Sequence, residues 1–145
     1  MFIKQLSVFI ENRKGRLEQV TAALSEKNIN IIALSLADTN EYGLLRMIVS
    51  DHAAARDVLL ERGFSAVLTD VLAVRMRNRP GQLYRMLNVF TAADLNLEYM
   101  YVLDSSAEYG SMIVKVKDAE KALDVIKAGG LELFDEKEVY SIAHE

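Results

Sequence analysis

The sequence predicts an α+β fold that consists of two copies of one β-α-β-β-α-β unit. The segment 12–17 (NRKGRL) recurs as the segment 78–83 (NRPGQL), 66 residues later, and four further matches follow in the same order. Within each copy, stretches with the apolar pattern of strands alternate with stretches that have helical spacing. We therefore predict one unit over residues 1–70 and a second over residues 71–145.

The elements of the first copy follow from local patterns. Apolar residues at helical spacing predict a first helix that begins near Leu17 and ends at Asn28. Asp51 is a candidate N-cap of a second helix, which Gly63 ends. β-Branched and alternating residues predict strands over 3–10, 29–37, 44–50 and 64–68.

The second copy repeats this order, which is that of the ferredoxin-like fold. Its strands are predicted over 72–76, 95–103 and 112–116, with a last strand after Gly130. Its helices are predicted over 83–90 and 119–128.

The third strand of each copy indicates which face of its sheet is buried. Alternate residues of a strand share a face, and one row is apolar, so we expect it to pack against the helices. The opposite row is mixed, and we expect an open face that water or a partner covers. The apolar row is Leu45, Met47, Val49, Met112, Val114 and Val116, and the mixed row is Leu44, Arg46, Ile48, Ser111, Ile113 and Lys115.

The composition excludes several classes of protein. Lys and Arg number 17 against 21 Asp and Glu, so the net charge is −4 and the basic excess that drives nucleic-acid binding is missing. There is no Cys, which removes disulfides, thiolate metal sites and a thiol nucleophile. No apolar run reaches the roughly 18 residues of a membrane span, and no signal-peptide pattern is present. We expect a cytoplasmic protein that binds neither nucleic acid nor membrane.

Motifs that carry catalytic chemistry are scarce. Neither His52 nor His144 has partners at the spacing of a catalytic motif, and no metal-ligand pattern or glycine-rich phosphate loop occurs. Arg77 and Arg79 flank the second repeated loop, where phosphate recognition is conceivable, although such small clusters are usually solvated. We therefore predict no enzyme activity, no metal and no cofactor.

The repeated loop is the most informative feature of each copy. Asn-x-x-Gly-x-Leu ends a strand and begins a helix, so free backbone N–H groups and the positive end of the helix dipole meet there. An anionic group such as an α-carboxylate suits this position, and Gly15 and Gly81 allow a ligand to approach the backbone. The alternative is that Asn12 and Asn78 cap the helices and that the glycines serve turn geometry.

The stretch 76–83, followed by 93–97, resembles the signature of ACT domains. These are β-α-β-β-α-β regulatory modules that bind amino acids, as in phosphoglycerate dehydrogenase and aspartokinase. In the serine-binding branch, the Asn before the Pro-Gly loop and the Asn at the start of the second strand hold the effector. The resemblance covers essentially the whole chain twice. It implies these roles for Asn78 and Asn96 and, in the first copy, for Asn12 and Asn30.

The resemblance also implies an arrangement of the two units. ACT units commonly pair side by side into one eight-stranded antiparallel sheet with helices on one face, and ligands lie in the seam. The second loop is the better candidate, because Pro80 fixes its backbone, whereas Lys14 stands where the family usually has Pro. The implied ligand-binding residues are Asn12, Arg13, Lys14, Gly15, Arg16, Leu17, Asn30, Ile31, Asn78, Arg79, Pro80, Gly81, Gln82, Leu83, Asn96 and Leu97.

The resemblance implies a non-catalytic, allosteric regulatory protein that binds a free amino acid. Its further partners would be a regulated enzyme or a second copy in a homodimer. The alternative is a structural or interaction module that binds no small molecule. RNA-binding domains share the element order, but the strand 44–49 lacks the glycine and stacking aromatics of their RNP1 motif.

Overall fold

The computed structural model describes residues 2–38 and 41–142. These residues form two compact units. The N-terminal unit is Lys4–Thr69, and the C-terminal unit is Asp70–Ile142 together with Phe2 and Ile3. His144 lies outside the described residues.

The helices and strands follow the predicted order and confirm the α+β class. The strands are β1 (Ile3–Glu11), β2 (Ile31–Asp38), β3 (Tyr42–Val49), β4 (Ser65–Arg77), β5 (Leu97–Ser105), β6 (Tyr109–Val116) and β7 (Glu132–Leu133). The helices are α1 (Arg16–Glu26), α2 (His52–Glu61), α3 (Gln82–Ala92), α4 (Ala119–Ala128) and α5 (Glu136–Ser141). We expected eight strands, and the described residues form seven. The two strands predicted at 64–68 and 72–76 merge into one continuous strand, β4.

Strand pairing within each unit is antiparallel. In the N-terminal unit, β3 pairs with β1 on one side and with β2 on the other. In the C-terminal unit, β6 pairs with β4 and with β5, and the short β7 pairs with β4 through Val74 and Leu133. Each repeated loop therefore lies at the end of a strand that pairs with the third strand of its copy.

The apolar row of each third strand packs into the core of its own unit, as predicted. Leu45, Met47 and Val49 are at most 1% exposed, and they pack with buried residues of α1 and α2. Val114 and Val116 are equally buried with residues of α3 and α4, and Met112 is partly buried there. The N-terminal core consists mainly of fully buried side chains, whereas the C-terminal core includes many that are only partly buried.

The prediction of an open opposite face is wrong for much of the mixed row. Ile48 and Ile113 are fully buried and Ser111 is 3% exposed, whereas Leu44, Arg46 and Lys115 are half-buried. The two isoleucines are apolar, so their removal from water is favourable. They do not offer a surface for a homodimer.

Local capping explains where the helices begin and end. The side chain of Asp51 accepts a hydrogen bond from the N–H of Ala54 at 3.1 Å, which confirms the predicted N-cap of α2. Sequence reasoning missed α5. Its signal was a capping box, in which Asp135 and Glu138 bind each other's backbone N–H groups.

Candidate functional site

The loop between β4 and α3 is tied to the turn between β5 and β6. The N–H of Asn78 donates to the carbonyl oxygen of Glu108 at 2.9 Å. The side-chain Nδ2 of Asn78 donates to the carbonyl oxygen of Ser106 at 2.8 Å. The hydroxyl and backbone of Ser106 bond to the backbone of Tyr109, so the turn itself is ordered by hydrogen bonds. Asn78 therefore positions the loop.

The helices at the two loops begin at glycines. Gly81 is the N-cap of α3 with a φ of 87°, and Gly15 is the N-cap of α1 with a φ of 90°. Neither helix has a side-chain cap in the described chain, so Asn12 and Asn78 are not helix caps. The N–H of Gln82 donates to the carbonyl oxygen of Arg79 at 3.3 Å. The other N–H groups in the first turn have no acceptor within the helix, so this end of α3 can receive an anion.

A cavity of about 210 Å³ lies beside the loop of the C-terminal unit. Its lining includes the first-turn residues Gln82 and Leu83 of α3 and an acidic residue, Asp104, near the end of β5. The cavity therefore combines the positive end of a helix with a carboxylate. The other lining residues are Met76, Arg77, Asn78, Arg79, Val102, Ser105, Gly110, Ser111 and Met112.

Sequence reasoning did not single out Asp104 or Ser105. These residues lie just before the β5–β6 turn, which the repeated Glu-Tyr-Gly of 41–43 and 108–110 marked in the sequence. That repeat was the available signal for the second wall of the cavity.

The equivalent glycines of the two copies have different surroundings. A Cβ atom on Gly110, which lines the cavity, would meet no other atom within 4 Å. A Cβ atom on Gly43 would lie 3.2 Å from Cγ1 of Ile10 and 3.3 Å from Cδ1 of Leu36. The space beside Gly110 is therefore filled by side chains at the same position of the N-terminal unit.

Two of the three cationic side chains of the N-terminal loop, those of Arg13 and Arg16, have partners within the protein. Nε of Arg13 lies 3.0 Å from a carboxylate oxygen of Glu11. Nη1 of Arg16 donates to Oε1 of Gln19 at 2.6 Å, and its guanidinium lies 4.3 Å from the ring centre of Phe64. Lys14 and Leu17 are exposed. This loop has less free positive charge for a ligand.

The asparagines before the second strands lie far from the loops of their own units. The register pairs Arg77 with Tyr109 and Leu97 with Val116, so Asn78 and Asn96 lie at opposite ends of β6. A rise of about 3.3 Å per residue separates these ends by about 23 Å. Asn12 and Asn30 are separated in the same way along β3. Neither unit brings its own two asparagines together.

The segment around Asn30 forms a different feature. The N–H of Asn30 donates to Oγ of Ser50 at 2.9 Å, and its carbonyl oxygen accepts from the N–H of Ser50 at 2.9 Å. Asn30 and Ile31 line a depression of about 540 Å³, with residues of α1. Ile31 and Leu97 are partly buried against the cores of their units.

Two other classes of site are not found in the part of the chain that the structure describes. No group of three or more His, Cys, Asp or Glu side chains there could hold a metal ion. None of the helices described has the length and apolar character to cross a membrane.

The chain matches one protein family along almost its whole length. Residues 1–143 match the ACT domain pair family, and no catalytic family is indicated. No curated protein matches the sequence. Solved structures provide the remaining comparisons.

Several crystal structures are similar to this chain. A protein from Bacteroides thetaiotaomicron is 34% identical with a TM-score of 0.92, over 97% of this chain and 96% of that one. The regulatory subunit of aspartate kinase from Thermus thermophilus, in its ligand-free form, is 21% identical with a TM-score of 0.62, over 87% and 91% of the two chains. Its counterpart from Thermus flavus is 22% identical with a TM-score of 0.58, over 88% and 92%. The likeness to these two regulatory subunits concerns the fold. Because the family match spans 143 residues and agrees with the two units, the protein belongs to the ACT domain pair family.

Proposed function

We propose that this protein is a non-catalytic regulatory protein whose C-terminal unit binds a free amino acid. Binding would be relayed to an enzyme partner or to the assembly of the chain itself. One observation carries the proposal. The first turn of α3, which has no side-chain cap, and the acidic residue Asp104 line the same cavity, and the side chain of Asn78 holds the loop in place.

A free amino acid carries the two charges that this cavity complements. Its carboxylate would accept hydrogen bonds from the N–H groups in the first turn of α3, where the helix dipole is positive. Arg79 lines the same cavity, and its guanidinium would add a further donor. The ammonium group of the amino acid would lie against the carboxylate of Asp104, since opposite charges attract strongly at short range.

The size and walls of the cavity favour a small ligand. Pockets for drug-sized molecules measure about 300–1,000 Å³, and this cavity of about 210 Å³ is smaller. Leu83 and Val102, which are 44% and 55% exposed, provide apolar walls for a ligand side chain. An amino acid presents this combination of two charges and a variable side chain.

The C-terminal loop suits this role better than its N-terminal equivalent. Pro80 restricts the backbone of the loop, so less conformational entropy is lost when a ligand binds. In the N-terminal loop, Arg13 forms an ion pair with Glu11, two residues before it. In the C-terminal loop, the residue two positions before Arg79 is Arg77, which cannot form such a pair. Its charge is therefore available to a ligand.

Membership of the ACT domain pair family supports a regulatory role, and other parts of the hypothesis remain predictions. These are the serine-type motif, the side-by-side arrangement of the two units with ligands in the seam, and the cytoplasmic location. The name of two similar structures, regulatory subunits of aspartate kinase, makes an enzyme of amino-acid metabolism a reasonable class of partner.

The proposal is tested by screening the twenty amino acids for an increase in thermal stability. A ligand at 100 times its dissociation constant adds about 2.7 kcal/mol to the stability of a one-site protein. The best ligand is then titrated by calorimetry into the wild type and into the Asp104→Asn and Asn78→Ala variants. Loss of a charged hydrogen-bond partner costs about 1.5–3 kcal/mol, so Asp104→Asn should weaken binding by about 10- to 100-fold.

Asp38→Asn is the control, because it removes an exposed carboxylate at the end of β2, outside the lining of this cavity. It should leave the affinity unchanged. Asn78→Ala should also weaken binding, because the loop loses its tie to Ser106. Equal affinity of the wild type and Asp104→Asn would refute this placement of the ammonium group.

An interaction module without a small ligand is the second candidate function. Leu34 and Leu36 are 51% and 47% exposed at alternate positions of β2, and an exposed apolar row on one face of a strand can mark a contact with another protein. The absence of any stabilisation or binding heat with all twenty amino acids would favour this function.

A further inference from the structure

The C-terminal unit has a second cavity, of about 140 Å³, whose lining is rich in arginine. Arg75 and Arg77 reach it from β4, and Arg85 reaches it from α3. Glu132 of β7 is the acidic residue in this lining. Arg77 also lines the first cavity, but Arg75, Arg85 and Glu132 line only the second, so the two cavities can be tested separately.

Aromatic rings hold two of these guanidinium groups. Cζ of Arg75 lies 4.1 Å from the ring centre of Tyr109 and 5.6 Å from that of Phe134. Cζ of Arg77 lies 5.4 Å from the ring centre of Tyr109. Stacking fixes a guanidinium plane and leaves the N–H groups at its edge available for an acceptor. The Nε of Arg75 is buried and has no hydrogen-bond partner among the described residues.

The three arginines have no ion-pair partner within the described residues. The ion pairs found there involve other arginines, and none joins Arg75, Arg77 or Arg85 to a carboxylate within 4.0 Å. Three positive charges with one nearby carboxylate form a local cationic site in a chain whose net charge is −4. A bound anion would relieve the repulsion within this cluster.

The first copy shows that the fold does not require these charges. Phe9, Glu11 and Gln19 occupy the positions that Arg75, Arg77 and Arg85 occupy in the second copy, 66 residues later. The same strand and helix therefore form with a net charge of −1 at these positions instead of +3.

We propose that this second cavity binds the phosphate group of a small molecule. The guanidinium fork matches the oxygens of a phosphate and donates two hydrogen bonds to it. A phosphate monoester is doubly charged above about pH 6, so it balances the charge excess of the lining. The proposal does not depend on amino-acid binding at the first cavity.

The test is a calorimetric titration of the full chain at pH 7.5 and low salt. The probes are inorganic phosphate and glycerol 3-phosphate, with succinate as a dicarboxylate of similar charge. Arg85→Gln introduces the residue that the first copy has at this position, so this exposed side chain should be replaced without loss of the fold. It should weaken phosphate binding by about 10- to 100-fold.

Arg56→Gln, on α2 of the N-terminal unit, removes the same charge away from the cavity and should leave the affinity unchanged. Binding of either phosphate probe that Arg85→Gln alone weakens supports the site, and the tighter probe identifies free or esterified phosphate as the ligand. Three results would overturn the proposal: no heat with either phosphate probe, equal effects of the two substitutions, or succinate binding as tightly as phosphate. Asp104→Asn should not change phosphate affinity, which keeps this test separate from that of the amino-acid site.

Discussion

Substitution of the two equivalent glycines, Gly110 and Gly43, should have opposite effects on stability, and only substitution of Gly110 should impair ligand binding. A methyl group on Gly110 would enter open space beside the first cavity. Replacement of Gly by Ala in a compatible conformation stabilises a protein by about 0.4–1 kcal/mol, because the unfolded chain loses freedom. Gly110→Ala should therefore unfold at the same or a slightly higher temperature than the wild type.

Gly43→Ala has a different expected result. Its methyl group would lie 3.2 Å from Cγ1 of Ile10 and 3.3 Å from Cδ1 of Leu36, so both side chains must move. Leu36 is 47% exposed and can yield by a few tenths of an ångström, whereas Ile10 is 5% exposed and has little room to move. We therefore expect an overpacking cost near the lower end of the usual range of about 1–3 kcal/mol, against a gain of about 0.4–1 kcal/mol in the unfolded state. For a chain of about this length, each kcal/mol lowers the melting temperature by roughly 2–4 °C.

Binding of the amino acid should also differ between variants at Gly110 and variants at Gly43. Gly110→Val fills part of the first cavity with a residue that strands accept well, so it should abolish binding of the amino acid and keep the fold. Gly43→Ala should bind with the affinity of the wild type. The assays are thermal unfolding followed by circular dichroism and calorimetric titration. The reasoning is refuted if both alanine variants change stability in the same direction, or if Gly110→Val binds as tightly as the wild type.

Five further substitutions test three local features of the fold. Asp94 has a φ of 58°, which glycine adopts without strain, so Asp94→Gly should raise the free energy of unfolding by about 0.5–1 kcal/mol. Asn28 has a φ of 57°, and Asn28→Gly should raise it by less, because Asn tolerates this conformation better than most residues do. Equal increases of the two variants in urea unfolding would contradict this. Asp135→Ala removes the N-cap of α5 and should lower the free energy of unfolding by about 0.5–2 kcal/mol. Urea unfolding would measure this loss, and the amide protons of α5 should exchange faster. Unchanged amide exchange would count against the capping role. Gly81 and Gly15 have φ angles of 87° and 90°, and a Cβ atom on either would meet nothing within 4 Å. Gly81→Ala and Gly15→Ala should therefore each lower the free energy of unfolding by about 1–2 kcal/mol through backbone strain alone. A urea midpoint equal to that of the wild type would contradict the strain.

Features that depend on neighbouring residues could be predicted from the sequence. The order of the elements, the N-cap Asp51 and the buried row of β3 all follow from spacings of a few residues. The continuous strand β4 and the burial of Ile48 depend on how distant segments pack, which local patterns do not encode. A local pattern did exist for α5, in its capping box, but a helix of six residues has too few apolar positions to show a period.

The candidate site divides in the same way. The repeated loop and its glycines are local motifs, and the sequence located them. The contact between the Asn78 side chain and Ser106 joins residues 28 positions apart, and Asp104 enters the cavity through the pairing of β5 with β6. The prediction left the role of Asn78 open between a cap and a ligand contact; the structure shows that Asn78 does not cap α3 and that it anchors the loop, and the ligand contact stays a prediction.

The looser core of the C-terminal unit has a consequence for how a bound ligand is sensed. Regions with less complete burial open locally at a lower free energy, and their amide protons exchange faster. A ligand that binds only the closed form raises this opening free energy by RT ln(1 + [L]/Kd). We therefore expect hydrogen exchange of α3 and α4 to slow with ligand concentration while that of α1 and α2 stays constant. Ligand binding to the C-terminal unit, which carries both cavities, would then reduce the frequency with which this unit opens locally.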